Sequence, residues 1–278
     1  MSAPVRDVAR WRRPEHIYRD IADICPRPGE HVVSVQHDDA PPLDALVDLI
    51  GADVTFVSFH AAVSRDGTTV PHFTGATLAA KEANRILVSD PCLAEGVLLA
   101  WFAGSTAVSQ TRIHEFVLRL VELSGARHVV FFGGSGGGFA SLDIARHVPA
   151  STAVVANPQT NILNFHTRWW MPYAERCWGA QGDEAEVARL LRSRVTCDLA
   201  EVYGRTRPDV DVVYLQNRAD EHHVTHHLQP FREAVNGRRL RLVEGDWGPD
   251  HTRPPRDLIA GVVSEVFADL RRGPTHSG

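Results

Sequence analysis

The stretch VVFFGGSGGGFASLDI, which runs from Val129 to Ile144, decides the fold that we predict for this chain. Its apolar run Val129–Phe132 is typical of a buried strand, and FASLDI carries apolar residues at helical spacing. Between them lie glycines and a single serine, Ser135. A strand and the helix directly after it pass too close for side chains, so glycine is needed on both sides of such a serine. The pattern predicts a strand, a sharp turn with an exposed hydroxyl, and a helix.

A glycine-rich turn between a strand and a helix can also cradle a phosphate. The dinucleotide pattern G-x-G-x-x-G is not met here, because Phe139 stands where the third glycine after Gly134 and Gly136 is required. The G-K-[ST] of a P-loop is also missing from the sequence. The pattern G-x-S-x-G is met by Gly133, Ser135 and Gly137, which favours a nucleophilic serine over a phosphate cradle or a purely structural turn.

Length and composition indicate one α/β domain with an insertion. The chain has 278 residues, of which 44% are hydrophobic and 23% charged. Its net charge of −5 argues against a nucleic acid or an anionic membrane as the main partner. The first residues carry arginines without the apolar region of a secretory signal, and no apolar run has membrane-spanning length. Four widely spaced cysteines without a C-x-x-C predict free thiols in a cytoplasmic protein.

Hydrophobic periodicity predicts alternating strands and helices, and hence a mostly parallel central sheet flanked by helices. The predicted strands are His31–Val35, Val54–Phe59, Arg85–Ser89, Val129–Phe132, Thr152–Ala156, Val210–Gln216 and Leu240–Val243. The predicted helices are Ile17–Ile24, Leu43–Ile50, Thr111–Leu123, the segment after Ser135, residues 222–235 and Arg256–Arg271. Val97–Phe102 fits either a strand or a buried loop.

Three parts of the chain differ in character. Residues 1–29 are charged and contain prolines, which predicts an N-terminal arm. Residues 30–160 and 206–278 carry the strand and helix alternation of the core. Residues 161–205 are rich in aromatic residues and then helical, so we interpret them as an inserted helical lid over the site. Trp169 and Trp170 of this lid are candidate substrate-binding residues of an apolar pocket.

Polar residues follow the ends of two predicted strands. His60 follows Val54–Phe59, and Asn157 and Gln159 follow Thr152–Ala156. Ligands of parallel sheets bind at the carboxyl ends of the strands, so these three are candidate substrate-binding residues. The alternative is structural, since Asn–Pro dipeptides favour turns on their own.

A serine is a weak nucleophile that needs a base, and the base needs an acid to orient it. Asp220 follows one late strand and His251 follows the last, so both are predicted to lie at the sheet edge that carries Ser135. Asp246 and Asp250 compete for the role of the acid, but Asp250 adjoins His251 and its side chain is expected to point away. The sequence therefore predicts a triad of Ser135, Asp220 and His251.

Histidines 222, 223, 226 and 227 include two pairs at the i, i+4 spacing of a zinc-binding helix. The H-E-x-x-H signature is absent, so we predict no metal. We expect instead that one face of this helix packs near the triad and that one histidine binds a nearby carboxylate.

The chain resembles the α/β-hydrolase superfamily over residues 30–272. The resemblance rests on GGSGG, on Asp220 after DVVYLQN and on His251 in GDWGPDHTRPP, in the order Ser, Asp, His. The segments SDP (Ser89–Pro91), NPQT (Asn157–Thr160) and QNRADEHHV (Gln216–Val224) are similar to a little-characterised bacterial subgroup associated with glycan and natural-product loci.

The resemblance implies an oxyanion hole built from the backbone N–H groups of Gly136 and Ala61. It also implies ester or acyl chemistry. Lipases of the superfamily often have His–Gly–Gly where this chain has His60, Ala61 and Ala62, so the space near the acyl oxygen is expected to be tighter.

Together these features predict a serine hydrolase that acts on a small-molecule ester, thioester or amide through an acyl-enzyme, without a cofactor. Transfer of the acyl group to a sugar or natural product, a non-catalytic binding role, and lyase chemistry with the same triad are the alternatives. A homodimer is compatible with the sequence.

Overall fold

The computed structural model describes residues 4–37, 39–64, 69–79, 82–237 and 239–272. Its strands are β1 (Val5–Arg6), β2 (Glu15–Tyr18), β3 (His31–Val35), β4 (Leu43–Asp48), β5 (Val54–Phe59), β6 (Thr69–Val70), β7 (Asn84–Val88), β8 (His128–Gly134), β9 (Ser151–Ala156), β10 (Val210–Asn217) and β11 (Leu240–Gly245).

The helices are α1 (Gln110–Ser124), α2 (Gly136–Ala145), α3 (Thr167–Trp178), α4 (Glu184–Arg194), α5 (Leu199–Thr206), α6 (Glu221–His223), α7 (Gln229–Val235) and α8 (Arg256–Arg272). A π-helical turn, Val224–Leu228, joins α6 to α7, so residues 221–235 form one helical run. Short 3₁₀ helices lie at Ala9–Trp11, Ile21–Asp23 and Pro91–Glu95. No described helix combines the length and the apolar character needed to cross a membrane.

A nine-stranded sheet has the order β2-β3-β4-β7-β5-β8-β9-β10-β11. Among the described strands of this sheet, β4 alone runs against its neighbours, and the other pairings are parallel. The predicted mostly parallel sheet with flanking helices is confirmed. In such a sheet the carboxyl ends of β5, β8, β9, β10 and β11 meet at one edge, which brings the segments after these strands together.

The central strands are buried on both faces because helices cover both. On one face, Ile113 and Phe116 of α1 and Phe139 of α2 belong to the larger apolar cluster. On the other face, Val263 and Phe267 of α8 belong to a second cluster. A strand covered on both sides is apolar throughout, which explains the continuous run Val129–Phe132 in β8.

The predicted helix at Leu43–Ile50 is wrong, because Leu43–Asp48 forms strand β4. It pairs with β3 on one side and β7 on the other. Its side chains are buried from Leu43 to Val47. A short apolar segment with single polar residues fits both periods, and only pairing with two neighbouring strands selects the strand.

The predicted helix at Ile17–Ile24 is also wrong. Glu15–Tyr18 forms the edge strand β2, and only Ile21–Asp23 is helical, as a single 3₁₀ turn. The first 29 residues therefore contribute β2 to the main sheet.

Val97–Phe102, which the sequence left open between a strand and a buried loop, is a buried loop.

The segment 161–205 contains α3, α4 and α5. Several of its aromatic residues are part of the core: Trp170 is 4% exposed and Tyr173 is fully buried. The Tyr173 hydroxyl donates a hydrogen bond to the carbonyl of Gly104 at 2.9 Å. The segment is helical as the sequence predicts, while its role as a lid stays a prediction.

Candidate active site

Ser135 stands at the turn between β8 and α2 in a backbone conformation that non-glycine residues rarely adopt, with φ 53° and ψ −120°. Its N–H donates to the carbonyl of Ala156, the last residue of β9, at 2.9 Å. A Cβ on Gly133 would lie 2.1 Å from the carbonyl oxygen of Gly137. The strand and helix therefore cross too closely for any side chain at that position, and the strained turn presents the serine at the sheet edge.

The first turn of α2 packs against the end of β5. A Cβ on Gly137 would lie 2.4 Å from the carbonyl oxygen of Phe59 and 2.6 Å from that of His60. Gly136 begins the helix, so its N–H lacks an intrahelical acceptor. Ala61 follows two residues after β5 and is partly exposed. The two predicted oxyanion donors thus belong to segments in van der Waals contact.

Asp220 caps the N-terminus of α6, where its Oδ1 accepts from the N–H of His223 at 3.1 Å. Its Oδ2 lies 2.8 Å from Nδ1 of His251, within hydrogen-bond distance. Burial acts to raise the pKa of this carboxyl, but the contacts with His223 and His251 outweigh it and hold the pKa well below its usual range. Asp220 is therefore ionised at neutral pH, so it accepts a hydrogen bond from the Nδ1–H of His251.

The loop that carries His251 is held by two buried asparagines. Asn217, the last residue of β10, donates to the carbonyls of Gly248 and Asp250, each at 2.8 Å. Asn157, at the end of β9, donates to the carbonyl of Thr252 at 2.9 Å and accepts from the N–H of Asn217 at 2.8 Å. The backbone carbonyls of both residues that flank His251 thus accept hydrogen bonds from side chains at the ends of strands.

The Ser135 hydroxyl lies 2.8 Å from Nε2 of Gln159, which donates to it. Within the described part of the chain, Ser135 forms no hydrogen bond with His251. The same short segment after β9 nevertheless contacts both, since Gln159 binds the serine and Asn157 binds the residue after His251. The structure brings Asp220 and His251 together, and it brings Ser135 and Gln159 together.

Known structures with the same architecture include enzymes of acyl chemistry. The capsule O-acetyltransferase of Neisseria meningitidis serogroup A aligns at 11% identity over 86% of this chain and 94% of that one, with a TM-score of 0.62. A Pyrococcus furiosus esterase aligns at 14% identity over 98% of both chains, with a TM-score of 0.56. A Pyrococcus horikoshii acylaminoacyl peptidase aligns at 12% identity over 90% of this chain and 43% of that one, with a TM-score of 0.58.

The chain has the α/β-hydrolase fold. No protein-family model matches its sequence, and no curated protein does so significantly.

In this α/β-hydrolase fold, His60 occupies a structural position. Its ring is buried, Nδ1 lies 2.7 Å from the carbonyl oxygen of Ala61, and Nε2 accepts from the N–H of Asp90 at 3.0 Å. Burial lowers the pKa of His60 to about 3. Both ring nitrogens thus contact backbone groups, so His60 has no free polar ring atom for the predicted contact with a substrate.

The other predicted substrate-binding residues differ in exposure. Asn157 and Gln159 are buried and bind protein groups. Trp170 is buried, and its Nε1 has no hydrogen-bond partner in the described chain. Trp169 is partly exposed and stacks on Phe165 with ring centroids 6.4 Å apart.

The competing acids are placed elsewhere. Asp246 forms a bidentate ion pair with Arg218 at the surface, with distances of 2.7 and 3.2 Å. Asp250 is exposed, and its carbonyl accepts from Asn217. Asp220 is the one of the three whose carboxylate contacts His251.

Among histidines 222, 223, 226 and 227, His223 is the one that contacts the carboxylate of Asp220. Its Nδ1 lies 2.9 Å from Asp220 Oδ2 in a close but poorly aligned contact. Its ring stacks on that of His251 with centroids 4.1 Å apart. Burial lowers the pKa of His223 to about 4, so it is neutral at pH 7.

Within the described residues, one group of three could hold a metal, namely Asp220, His223 and His251, whose ligand atoms lie within 4.8 Å of one another. Two histidines and a carboxylate are a known metal donor set. The same oxygen of Asp220 faces both Nδ1 atoms at 2.8 and 2.9 Å, which are hydrogen-bond distances. Of these two contacts, the one with His251 is a hydrogen bond, whereas Nδ1 of His223 has no aligned partner among the described residues. The prediction of no metal stays a prediction.

The indole Nε1 of Trp101 donates to Oε1 of Gln159 at 2.6 Å, beside Ser135. Sequence reasoning did not identify Trp101, Asn217 or the stacking of His223 as parts of this site. Asn217 carries a usable signal, since it is a polar residue at a strand end like Asn157. Trp101 carries none, because its loop reaches the site only through the tertiary fold.

Proposed function

We propose that this protein is a serine hydrolase that cleaves an ester, thioester or amide through an acyl-enzyme. The observation that carries the proposal is the 2.8 Å contact between Asp220 and Nδ1 of His251 at the sheet edge where Ser135 stands on its strained turn. A buried carboxylate on Nδ1 leaves Nε2 of the imidazole as the base, which is the arrangement that activates a serine.

In the proposed reaction, Ser135 Oγ attacks the acyl carbonyl while His251 Nε2 takes the hydroxyl proton. Asp220 fixes the tautomer of His251 and stabilises its charged form. The N–H groups of Gly136 and Ala61 hold the oxyanion, each donor contributing about 3 kcal/mol. His251 returns the proton to the leaving group, and a water molecule then cleaves the acyl-enzyme by the same steps.

The alignment of Ser135 with His251 is expected to tighten when a substrate occupies the site, as catalytic hydrogen bonds often do. The exposure of His251 supports this step, since its side chain is 39% accessible and its loop lies at the protein surface.

The test is labelling by a fluorophosphonate probe, which captures activated serines. Wild type is expected to be labelled and Ser135→Ala is not. Ser193→Ala is the matched control, because Ser193 lies exposed on α4 and its hydroxyl donates to the carbonyl of Leu190. Labelling of Ser135→Ala at the wild-type rate would reject the assignment.

Acyl transfer is the second candidate, and the neighbouring capsule O-acetyltransferase fold supports it. The acyl-enzyme on Ser135 is common to both reactions, so only its fate distinguishes them. Wild type preloaded with a p-nitrophenyl ester is expected to release acid into water at a rate that sugars leave unchanged. An acylated sugar as the main product would favour transfer.

A further inference from the structure

The side chain of Gln159 lies between Trp101 and Ser135 and is fully buried. Nε1 of Trp101 donates to Oε1 of Gln159 at 2.6 Å. Nε2 of Gln159 donates to Oγ of Ser135 at 2.8 Å. The backbone N–H of Gln159 also donates to the carbonyl of Ser135 at 3.1 Å. Two hydrogen bonds thus join Gln159 to the serine.

The donor and acceptor of each of these hydrogen bonds follow from the chemistry of the side chains. An indole N–H is only a donor, so the amide oxygen of Gln159 must face Trp101 and the amide NH₂ must face Ser135. Ser135 Oγ is then an acceptor in this contact. Its own proton is left to be donated to another acceptor.

Trp101 is held in place by an unusual turn. Trp101 and Phe102 both have left-handed backbone conformations, with φ of 55° and 56°, which are rare for large side chains. The N–H of Phe102 donates to the buried carboxylate of Asp90 at 2.7 Å, and the N–H of Ala103 donates to the carbonyl of Ala100 at 2.9 Å.

The same loop covers the predicted oxyanion donor. A Cβ on Gly136 would lie 2.3 Å from Cδ1 of Leu99 and 3.4 Å from Cδ1 of Trp101. The strained turn therefore places Trp101 against both Gly136 and Gln159.

We propose that Gln159 is a further catalytic residue, which donates a hydrogen bond to the reacting oxygen of Ser135 and directs the serine proton towards His251, with Trp101 as its positioning residue. This inference rests on the proposed function. It gives Gln159 a contact with the nucleophile Ser135, whereas the sequence analysis predicted a contact with the substrate.

In the attack, the Oγ–H bond breaks, its proton passes to Nε2 of His251, and Oγ forms its bond to the acyl carbon while the carbonyl electron pair moves to oxygen. Negative charge develops on Oγ as the proton leaves, and the Gln159 donor stabilises it. When water later cleaves the acyl-enzyme, Oγ is the leaving group and regains the proton from His251. The same donor stabilises that step.

Two variants of similar size separate this role from packing. Gln159→Leu removes the donor. Gln159→Glu keeps an acceptor for Trp101 but places a second acceptor against Ser135, which then binds the serine proton and withholds it from His251. We expect the second-order rate constant for fluorophosphonate labelling to fall about tenfold to a hundredfold in Gln159→Leu, and further in Gln159→Glu at neutral pH.

The ratio of the Gln159→Glu rate to the Gln159→Leu rate is expected to rise as the pH falls, because a protonated carboxyl group has an O–H that can donate to Ser135. A purely structural role would give similar losses in both variants and a ratio independent of pH, and would overturn the proposal.

Trp101→Phe removes the indole N–H that positions Gln159 and leaves Gln159 itself unchanged. This variant keeps the proposal testable if a Gln159 variant does not fold. We expect a smaller loss of labelling than in Gln159→Leu, at an unchanged stoichiometry of one serine per chain. Thermal unfolding of each variant reports on its fold. Wild-type labelling rates in folded Gln159 and Trp101 variants would overturn the inference alone, whereas persistent labelling of Ser135→Ala would overturn the proposed function itself.

Discussion

Asp220 contacts two histidines through the same oxygen, and their surroundings assign them different roles. The side chain of His251 is partly exposed, which fits the role of base that the proposed function gives it. His223 is 1% exposed, and its Nε2 has no partner in the described chain. Its burial keeps it neutral, so beside His251 it acts as a flat packing surface and not as a second base.

This difference predicts the effect of removing each ring. His251→Phe is expected to lower the rate of fluorophosphonate labelling by about 10³-fold or more, since the base is lost. His223→Phe keeps the stacked ring on His251 and is expected to lower the rate by less than about tenfold. Equal losses in the two variants would contradict the assignment of His251 as the base.

Asp220→Asn gives a second prediction at this scale. An asparagine can present its NH₂ to Nδ1 and so favour the wrong tautomer of His251. The kcat for a p-nitrophenyl ester is expected to fall by about 10³- to 10⁴-fold with little change in KM. Asp246→Asn is the control, because Asp246 pairs with Arg218 at the surface and is expected to leave kcat unchanged.

At the scale of elements, the turn between β8 and α2 shows why glycine is required at particular positions. The space at Gly137 is closed by two backbone carbonyls at the end of β5, which cannot move aside as a side chain could. Glycine is required at position 137 because β5, β8 and α2 cross there.

Gly137→Ala is therefore expected to destabilise the protein by about 3 kcal/mol or more, because the added Cβ meets backbone atoms. Gly261→Ala is the matched control in α8, where a Cβ meets nothing within 4 Å. It is expected to stabilise the protein by about 0.5–1 kcal/mol through the higher helix propensity of alanine. Urea unfolding of both variants measures the difference, and a Gly137→Ala variant as stable as wild type would refute the close crossing.

For the whole molecule, the buried carboxylate of Asp90 links stability to pH. Burial raises the pKa of Asp90 to about 6, although the N–H groups of Phe102 and Cys92 act to lower it. The folded state thus favours the protonated acid more than the unfolded chain does. The stability gained from this preference is present below the unfolded pKa of 3.8 and is lost as the pH rises through about 6.

Asp90→Asn removes this titration while keeping a similar shape. The free energy of unfolding of wild type minus that of Asp90→Asn is expected to fall by about 2 kcal/mol between about pH 4 and about pH 7. Urea denaturation at a series of pH values measures it. A difference that stays constant or rises with pH would show that Asp90 is not held in a desolvated site.

The sequence by itself determined the parallel sheet, the strand–turn–helix around Ser135 and the post-strand positions of Asp220 and His251. These features are local: an apolar run marks a strand covered on both faces, and glycines mark a turn that permits no side chains. Only the tertiary structure decided that Leu43–Asp48 is a strand, because its period is ambiguous and its partners β3 and β7 lie elsewhere in the chain. It also decided that Gln159 binds the serine, that Trp101 binds Gln159 and that His223 stacks on His251, since these contacts join segments that no sequence spacing relates.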